Sequence, residues 1–255
     1  MKIRLLRNAT IVVNIGSKKF LVDPMLGKRG SYDPVRFTSN GIRNPTVELT
    51  LNEVELEQLL AEVDAVIVTH THNDHWDPAA AQLIPKDKLI IGQPEDEHKF
   101  KEQGFTNIKS VVGDYSYDNV RITRTAGQHG TGEIGKLMAP VSGFILNGGK
   151  ESIYIAGDTI WCTEVEEVLN KFKPAYIILN AGGAQFDMGD PIIMTASDVL
   201  KVCEISDAKK IICVHMEAIN HYYTTRANLK QAIKEVKEEN RCIVPEDGEE
   251  IILQN

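Results

Sequence analysis

Three of the seven histidines fall within six positions, in Thr69-His70-Thr71-His72-Asn73-Asp74-His75, directly behind the apolar run Ala65-Val66-Ile67-Val68. A run apolar on both faces reads as a buried strand. The fold must therefore bring imidazoles and a carboxylate to the end of a central strand. His70 and His72 are two apart on an extended segment and point to the same side. Asp74 and His75 follow where the chain turns toward Asp77-Pro78, a helix start with Asp77 as the cap and Pro78 in the first turn. The spacing predicts two adjacent ligand sets, two histidines in one and an Asp/His pair in the other. The competing reading is a histidine-rich loop satisfied by ordinary packing. Polar groups at a packed strand end need partners, and this density of imidazoles favours a cation as the partner.

The order strand, then ligand, recurs three times. His129 follows a predicted strand over 119–125, Asp158 one over 152–156 and His215 one over 210–214. Singly each is weak, because a lone histidine is more often structural and Gly157-Asp158-Thr159 is ordinary turn chemistry. The other predicted strands are 9–15, 19–22, 65–69, 89–91, 108–112, 141–147, 175–179 and 249–253. Predicted helices cover 53–60, a short segment from Pro78, 95–103, 163–172, 196–205 and 226–239, with a capping-box pattern at Thr195/Asp198. Strands dominate the first half and strand–helix alternation the second, a layered α/β or α+β pattern.

Composition narrows the function classes. The 255 residues are 42% hydrophobic and 25% charged, with no linker or repeat, which predicts one domain over 1–255. No apolar run approaches the roughly 18 residues that span a bilayer, so no membrane span is expected. The N-terminus scatters basic residues among apolar ones, unlike a secretory leader, and a cytoplasmic protein is expected. With 28 basic and 36 acidic residues the net charge is −8, which disfavours a nucleic-acid partner. Cys162, Cys203, Cys213 and Cys242 form no C-x-x-C pair and read as reduced, mostly buried thiols.

His70, His72, Asp74, His75, His129, Asp158 and His215 together resemble the metallo-β-lactamase superfamily of metal-dependent hydrolases, whose His-x-His-x-Asp-His signature is followed by His, Asp and His in that order. Asp23-Pro24, Gly-Asp-Thr and Val214-His215-Met216-Glu217-Ala218-Ile219-Asn220-His221 most resemble the branch with ascorbate-6-phosphate lactonase and N-acylphosphatidylethanolamine phospholipase D. The resemblance implies an αββα sandwich, two mixed sheets face to face with helices outside. It implies two divalent ions, one on His70, His72 and His129 and the other on Asp74, His75 and His215, with Asp158 bridging. Nitrogen and oxygen donors suit Zn²⁺ first, and Mn²⁺ or Fe²⁺. Two such ions about 3.5–4 Å apart share a hydroxide at neutral pH. The expected activity is hydrolysis of a small ester-like molecule, a lactone, carboxylester or phosphodiester, with an anionic group attracted by the ions. The alternative is a non-hydrolytic iron-dependent oxidoreductase or a metal-dependent sensor on the same fold.

Around this set, Asp74 and His221 are assigned to catalysis, His221 as a donor to substrate or a proton donor. The alternative for His221 is a supporting or capping role. Asp23 is placed to orient a ligand histidine, its alternative a plain Asp-Pro turn. Asn180, opening Asn180-Ala181-Gly182-Gly183, and Asn220 are candidate substrate or supporting residues. Trp76 and Trp161 adjoin ligands and are expected to shield the site. Cys162 is expected to be an inert buried thiol and His98 a solvated surface residue. Loops 27–46, 130–140 and 183–194 are expected to set specificity; Lys28, Arg29, Arg36 and Arg43 of the first are candidates to close over an anion, a merely solvated basic loop being the commoner case. A homo-oligomer is a common outcome for a soluble chain of this kind.

Overall fold

Alternating Lys2-Ile3-Arg4-Leu5 buries its apolar members and opens the first strand of the computed structural model, which describes residues 1–138 and 140–253. In chain order the elements are β1 (Lys2–Arg7), β2 (Thr10–Ile15), β3 (Lys18–Val22), α1 (Glu53–Glu62), β4 (Ala65–Ile67), α2 (Pro78–Leu83) and β5 (Leu89–Gly92). A 3₁₀ turn over Pro94–Asp96 leads into α3 (Glu97–Glu102), β6 (Ile108–Ser110), β7 (Asp114–Tyr117), β8 (Val120–Ala126), α4 (Gly132–Leu137), β9 (Ser142–Asn147) and β10 (Ser152–Ile155). The chain closes with α5 (Thr163–Phe172), β11 (Tyr176–Asn180), α6 (Ala196–Ile205), β12 (Lys210–Val214), α7 (Arg226–Glu235), β13 (Cys242–Ile243) and β14 (Glu250–Ile252).

Among the described residues the strands form two seven-stranded sheets, β14-β1-β2-β3-β4-β5-β6 and β13-β12-β11-β10-β9-β8-β7. Each sheet is mixed. The hairpin-linked strands pair antiparallel, while β3 to β6 and β10 to β13 run parallel. The inner faces meet in one core, with Ile3, Val13, Phe20 and Ile67 against Ile122, Phe144, Ile155 and Ile178. Each such side chain contributes about 1.5–3 kcal/mol on burial. Outside the first sheet, Leu56, Leu60, Ala80 and Phe100 cover Val66 and Ile90. Outside the second, Val165, Leu169, Val199, Val202, Leu229 and Ile233 cover Ile177, Leu179 and Ile211. The layers are helix, sheet, sheet, helix, as the resemblance implies. No helix of the described residues is long and apolar enough to cross a membrane.

The caps follow the sequence. Asp77 accepts from Ala80 N at the start of α2, and Thr195 with Asp198 completes a capping box on α6. Other boundaries are corrected. β1, β7 and β13 carry no turn-flanked β-branched run of their own and are stabilised by their neighbours' edges. Segment 130–140 is not all loop, since α4 lies within it. The helix expected to reach 239 ends at Glu235, with Lys237 in a left-handed turn (φ 62°). The 95–103 helix is split, because Pro94 starts a 3₁₀ turn whose Asp96 N donates to Gln93 O. All four cysteines are buried and free, and Cys162 packs in the helix layer over the second sheet.

Candidate metal centre

The ends of β4, β8, β10 and β12 lie at one edge of the sandwich, and the turns that follow them deliver the ligand-type side chains. Glycine is required there: a Cβ on Gly157 (φ 69°), just before Asp158, would meet Ser142 O at 2.7 Å, and one on Gly182 would meet His215 O at 2.2 Å. His215 itself holds φ 65° and Asp23 φ 46°, conformations that cost about 1–3 kcal/mol each and concentrate at functional sites.

Two groups of ligating atoms form, each within 4.8 Å of one another: His70, His72 and His129, and Asp74, His75, Asp158 and His215. In the first, His72 Nδ1 lies 3.0 Å from His70 Nε2 and 3.3 Å from His129 Nε2. In the second, His215 Nε2 lies 2.9 Å from His75 Nε2 and 3.3 Å from Asp74 Oδ2. Asp158 stands between them. Its Oδ2 is 3.1 Å from His75 Nε2, 3.7 Å from His129 Nε2 and 3.8 Å from His70 Nε2, and its Oδ1 is 3.4 Å from His215 Nε2.

The surroundings fix which nitrogens face inward. His75 Nδ1 donates to Asp23 Oδ2 (2.9 Å) and His129 Nδ1 to Ile192 O (2.8 Å). Thr69 Oγ1 spends its proton on Asp23 Oδ2, so at 3.2 Å it accepts from His70 Nδ1. Each of these rings therefore turns its Nε2 into the site. His72 Nδ1 has at most one proton for the two Nε2 atoms that face it at 3.0 and 3.3 Å, so one lone pair is left without a donor unless a cation lies among them. A tetrahedron with metal–nitrogen bonds of about 2.0–2.1 Å has edges of about 3.3 Å, so the donor set fits a divalent ion.

Electrostatics point the same way. Burial, reinforced by the adjacent imidazoles, lowers His70 well below its ordinary value, and burial brings His72 down to about 4. Both are thus neutral ligands near pH 7. Burial alone would lower His75 and raise Asp74 and Asp158. Instead Asp158, Asp74 and Asp23 hold His75 well above its ordinary value, and the imidazoles of His75 and His215 hold both carboxyls well below theirs. The site favours positive charge at its centre.

The sequence-derived candidates fall into three groups. His70, His72, Asp74, His75, His129, Asp158 and His215 are brought together. Asp23 joins them from behind with three hydrogen bonds, to His75, Thr69 N and Thr69 Oγ1. Asn180 meets the cluster through its side chain, Nδ2 donating to Asp158 Oδ1 at 2.7 Å, rather than through a backbone approach to substrate. His221 lines the cavity, its ring stacked on Phe186 at 5.9 Å and lowered to about 4 by burial.

Three expectations are corrected. Asn220 lies outside the cavity wall. Its side chain accepts from Val35 N and Asn44 Nδ2 and donates to Thr38 Oγ1 and Asn40 O, welding loop 27–46 to the His215 segment. Trp76 points away into the helix layer against Phe100 and Phe105, and Trp161 packs over the second sheet, so neither shields the site. The basic loop residues are partly spent: Lys28 pairs with Glu53, and Arg43 with Asp33. His98, by contrast, is exposed and pairs with Glu102, as expected.

Two residues were not singled out by sequence. Asn8 is buried between β1 and β2. Its Nδ2 donates to Asp74 O, its carbonyl accepts from His215 N, and its Oδ1 accepts from Tyr222. The Tyr222 hydroxyl lies 3.0 Å from Asp74 Oδ2 and 3.1 Å from His215 Nε2. Burial and the Asp74 and Asp158 carboxylates hold this phenol well above its ordinary value, so it is a donor. A turn asparagine gives no sequence signal. Tyr222 had one, its place beside His221.

Above the cluster opens a cavity of about 650 Å³. Its walls include Met25, Val35, Met138, Phe186, Ile192 and Ile219, and Arg36 and Arg43 lie on the loop side. Asp23→Ala should weaken divalent-metal affinity by roughly 10–100-fold, because the carboxylate that orients His75 and Thr69 is lost. A chelator-competition titration measures this, and unchanged affinity would remove Asp23 from the supporting role.

Known proteins match this chain along most of its length. The model of the Beta-lactamase superfamily domain matches residues 18–216. The UPF0173 protein YddR of Bacillus subtilis is 38% identical over 98% of both chains. A UPF0173 metal-dependent hydrolase of Sulfolobus acidocaldarius is 26% identical over 99% of both. Among solved structures, the isothiocyanate hydrolase from Delia radicum gut bacteria superposes with a TM-score of 0.93 at 39% identity, covering 99% of each chain.

Proposed function

From the chain's membership of the beta-lactamase superfamily of metal-dependent hydrolases, we infer a dinuclear enzyme that adds water to an electrophilic carbon or phosphorus of a small molecule. The observation that carries this reading is the Asp158 carboxylate, within 3.8 Å of nitrogens from both ligand groups. His70, His72 and His129 would hold one ion, Asp74, His75 and His215 the other, and Asp158 both. Zn²⁺ suits the donors best, with Mn²⁺ and Fe²⁺ next. When bound, such ions supply a nucleophilic water at neutral pH and polarise the substrate.

The chain's own residues do the rest. Asp74, the partly exposed carboxylate of the set, lines the cavity and is placed to take the proton released as water attacks. His221, kept neutral, presents its ring to the bound molecule beside Phe186. The apolar members of the wall, Met25, Val35, Met138, Phe186, Ile192 and Ile219, would receive a hydrocarbon part of the substrate. Arg43 is held by Asp33, Gly30 O and Ser31 O, which leaves Arg36 as the basic residue facing an anionic group.

The relative at 39% identity makes the isothiocyanate group, with its electrophilic central carbon, the first chemistry to test. Carboxylesters, lactones and phosphodiesters come next. Protein loaded in turn with Zn²⁺, Mn²⁺ and Fe²⁺ should hydrolyse at least one of these classes. Oxygen uptake by the iron form, without hydrolysis of any of them, would replace this reading with an oxidoreductase.

A further inference from the structure

We propose that the Tyr222 hydroxyl is a catalytic hydrogen-bond donor, which stabilises the negative charge that develops on the substrate heteroatom when water adds. The proposal rests on the hydrolytic reading above and deepens it by naming a group of this chain that meets the reacting atoms.

The hydroxyl has one proton and three acceptors in reach: Asn8 Oδ1 at 3.1 Å, Asp74 Oδ2 at 3.0 Å and His215 Nε2 at 3.1 Å. The last two are ligating atoms of the second group. When their lone pairs are given to a cation, the phenol proton is left with Asn8 or with whatever occupies the cavity that Tyr222 lines. Asn8 is itself fixed by Nδ2 to Asp74 O, so its Oδ1 holds the phenol by accepting that proton, which passes to the stronger acceptor when negative charge develops in the cavity.

Position supports the same role. The Tyr222 ring packs 4.7 Å from the His215 ring and 5.2 Å from the His221 ring, and the backbone at Tyr222 bridges to Ala184. A Cβ on Gly182 would lie 3.1 Å from Tyr222 Cγ, so the glycine is what lets the ring lie against the His215 turn. The ring is thus held rigidly, and its one polar atom stands at the corner of the metal cluster that faces the cavity. In the step it serves, a C–O bond forms from water to the electrophilic carbon. The π pair of the C=O, C=N or C=S bond moves onto the heteroatom, which then accepts from Tyr222 O–H. The proton released by the attacking water passes to Asp74, and no net proton leaves the tyrosine. A preorganised donor of this kind is typically worth about 10²–10³-fold in rate.

Tyr222→Phe keeps the ring packing and removes the donor alone. Two measurements test it. The first is turnover of the substrate class found active, where kcat should fall by roughly 10²–10³-fold with KM nearly unchanged. The second needs no turnover. In Co²⁺-loaded protein, thiocyanate, a linear anion with nitrogen and sulfur ends, is titrated and followed by the visible cobalt spectrum. The variant should bind cobalt with wild-type stoichiometry and the same anion-free spectrum, yet bind thiocyanate roughly tenfold more weakly. Unchanged thiocyanate affinity overturns the proposal. So does loss of cobalt, which would make Tyr222 a structural or ligating residue. A wild-type protein that hydrolyses nothing, while the thiocyanate difference stands, would fault the hydrolytic reading and leave the donor in place.

Discussion

Asp158→Ala should lower bound divalent metal from about two ions per chain to at most one, and reduce kcat/KM by roughly 10³-fold or more. Asp158 lies within 4 Å of ligating nitrogens from both groups: His70 and His129 on one side, His75 and His215 on the other. Without it each ion loses a charged ligand, and the His75 imidazole loses the carboxylate that contributes most to its raised pKa. The substitution also frees Asn180 Nδ2, a local loss that leaves the apolar core between the sheets intact. The fold should therefore survive, with an unchanged far-ultraviolet spectrum. Elemental analysis of the variant is the check, and retention of both ions would remove the bridge from the account.

Removal of metal by a chelator should abolish hydrolysis and lower the thermal midpoint by roughly 5–10 °C. Without an ion, His72 Nδ1 can satisfy only one of the two buried Nε2 atoms that face it at 3.0 and 3.3 Å. By linkage, an ion present at 100 times its dissociation constant stabilises the native state by about 2.7 kcal/mol, and about 2–4 °C follows each kcal/mol in a chain of this size. Re-addition of the same metal should restore both properties. Full activity in chelated protein whose metal content is negligible would contradict the chemistry.

The ligand set was legible because imidazoles are scarce in this chain and each ligand sits at the end of an apolar strand, where period and turn signals are strongest. The two-sheet architecture followed from the resemblance those residues carry. What sequence could not give was direction. Trp76 adjoins His75, yet its ring faces the opposite layer, and its Nε1 donates to Gln103 Oε1. Asn220 adjoins His221 but spends its amide on loop 27–46. Neighbours in sequence at a turn need not share a wall. Helix α4 was hidden by Gly130, Gly132 and Gly135, since glycine disfavours helix by about 1 kcal/mol per residue. Asn8 and Tyr222 reach the site from opposite ends of the chain, 214 positions apart, and no local pattern links them.

Anomalous diffraction from crystals grown with Zn²⁺, measured on both sides of the zinc edge, tests the central claim most directly. Two peaks should flank the Asp158 carboxylate, one within bonding distance of His70, His72 and His129 and the other of Asp74, His75 and His215. A single peak, or none at either group, would contradict it.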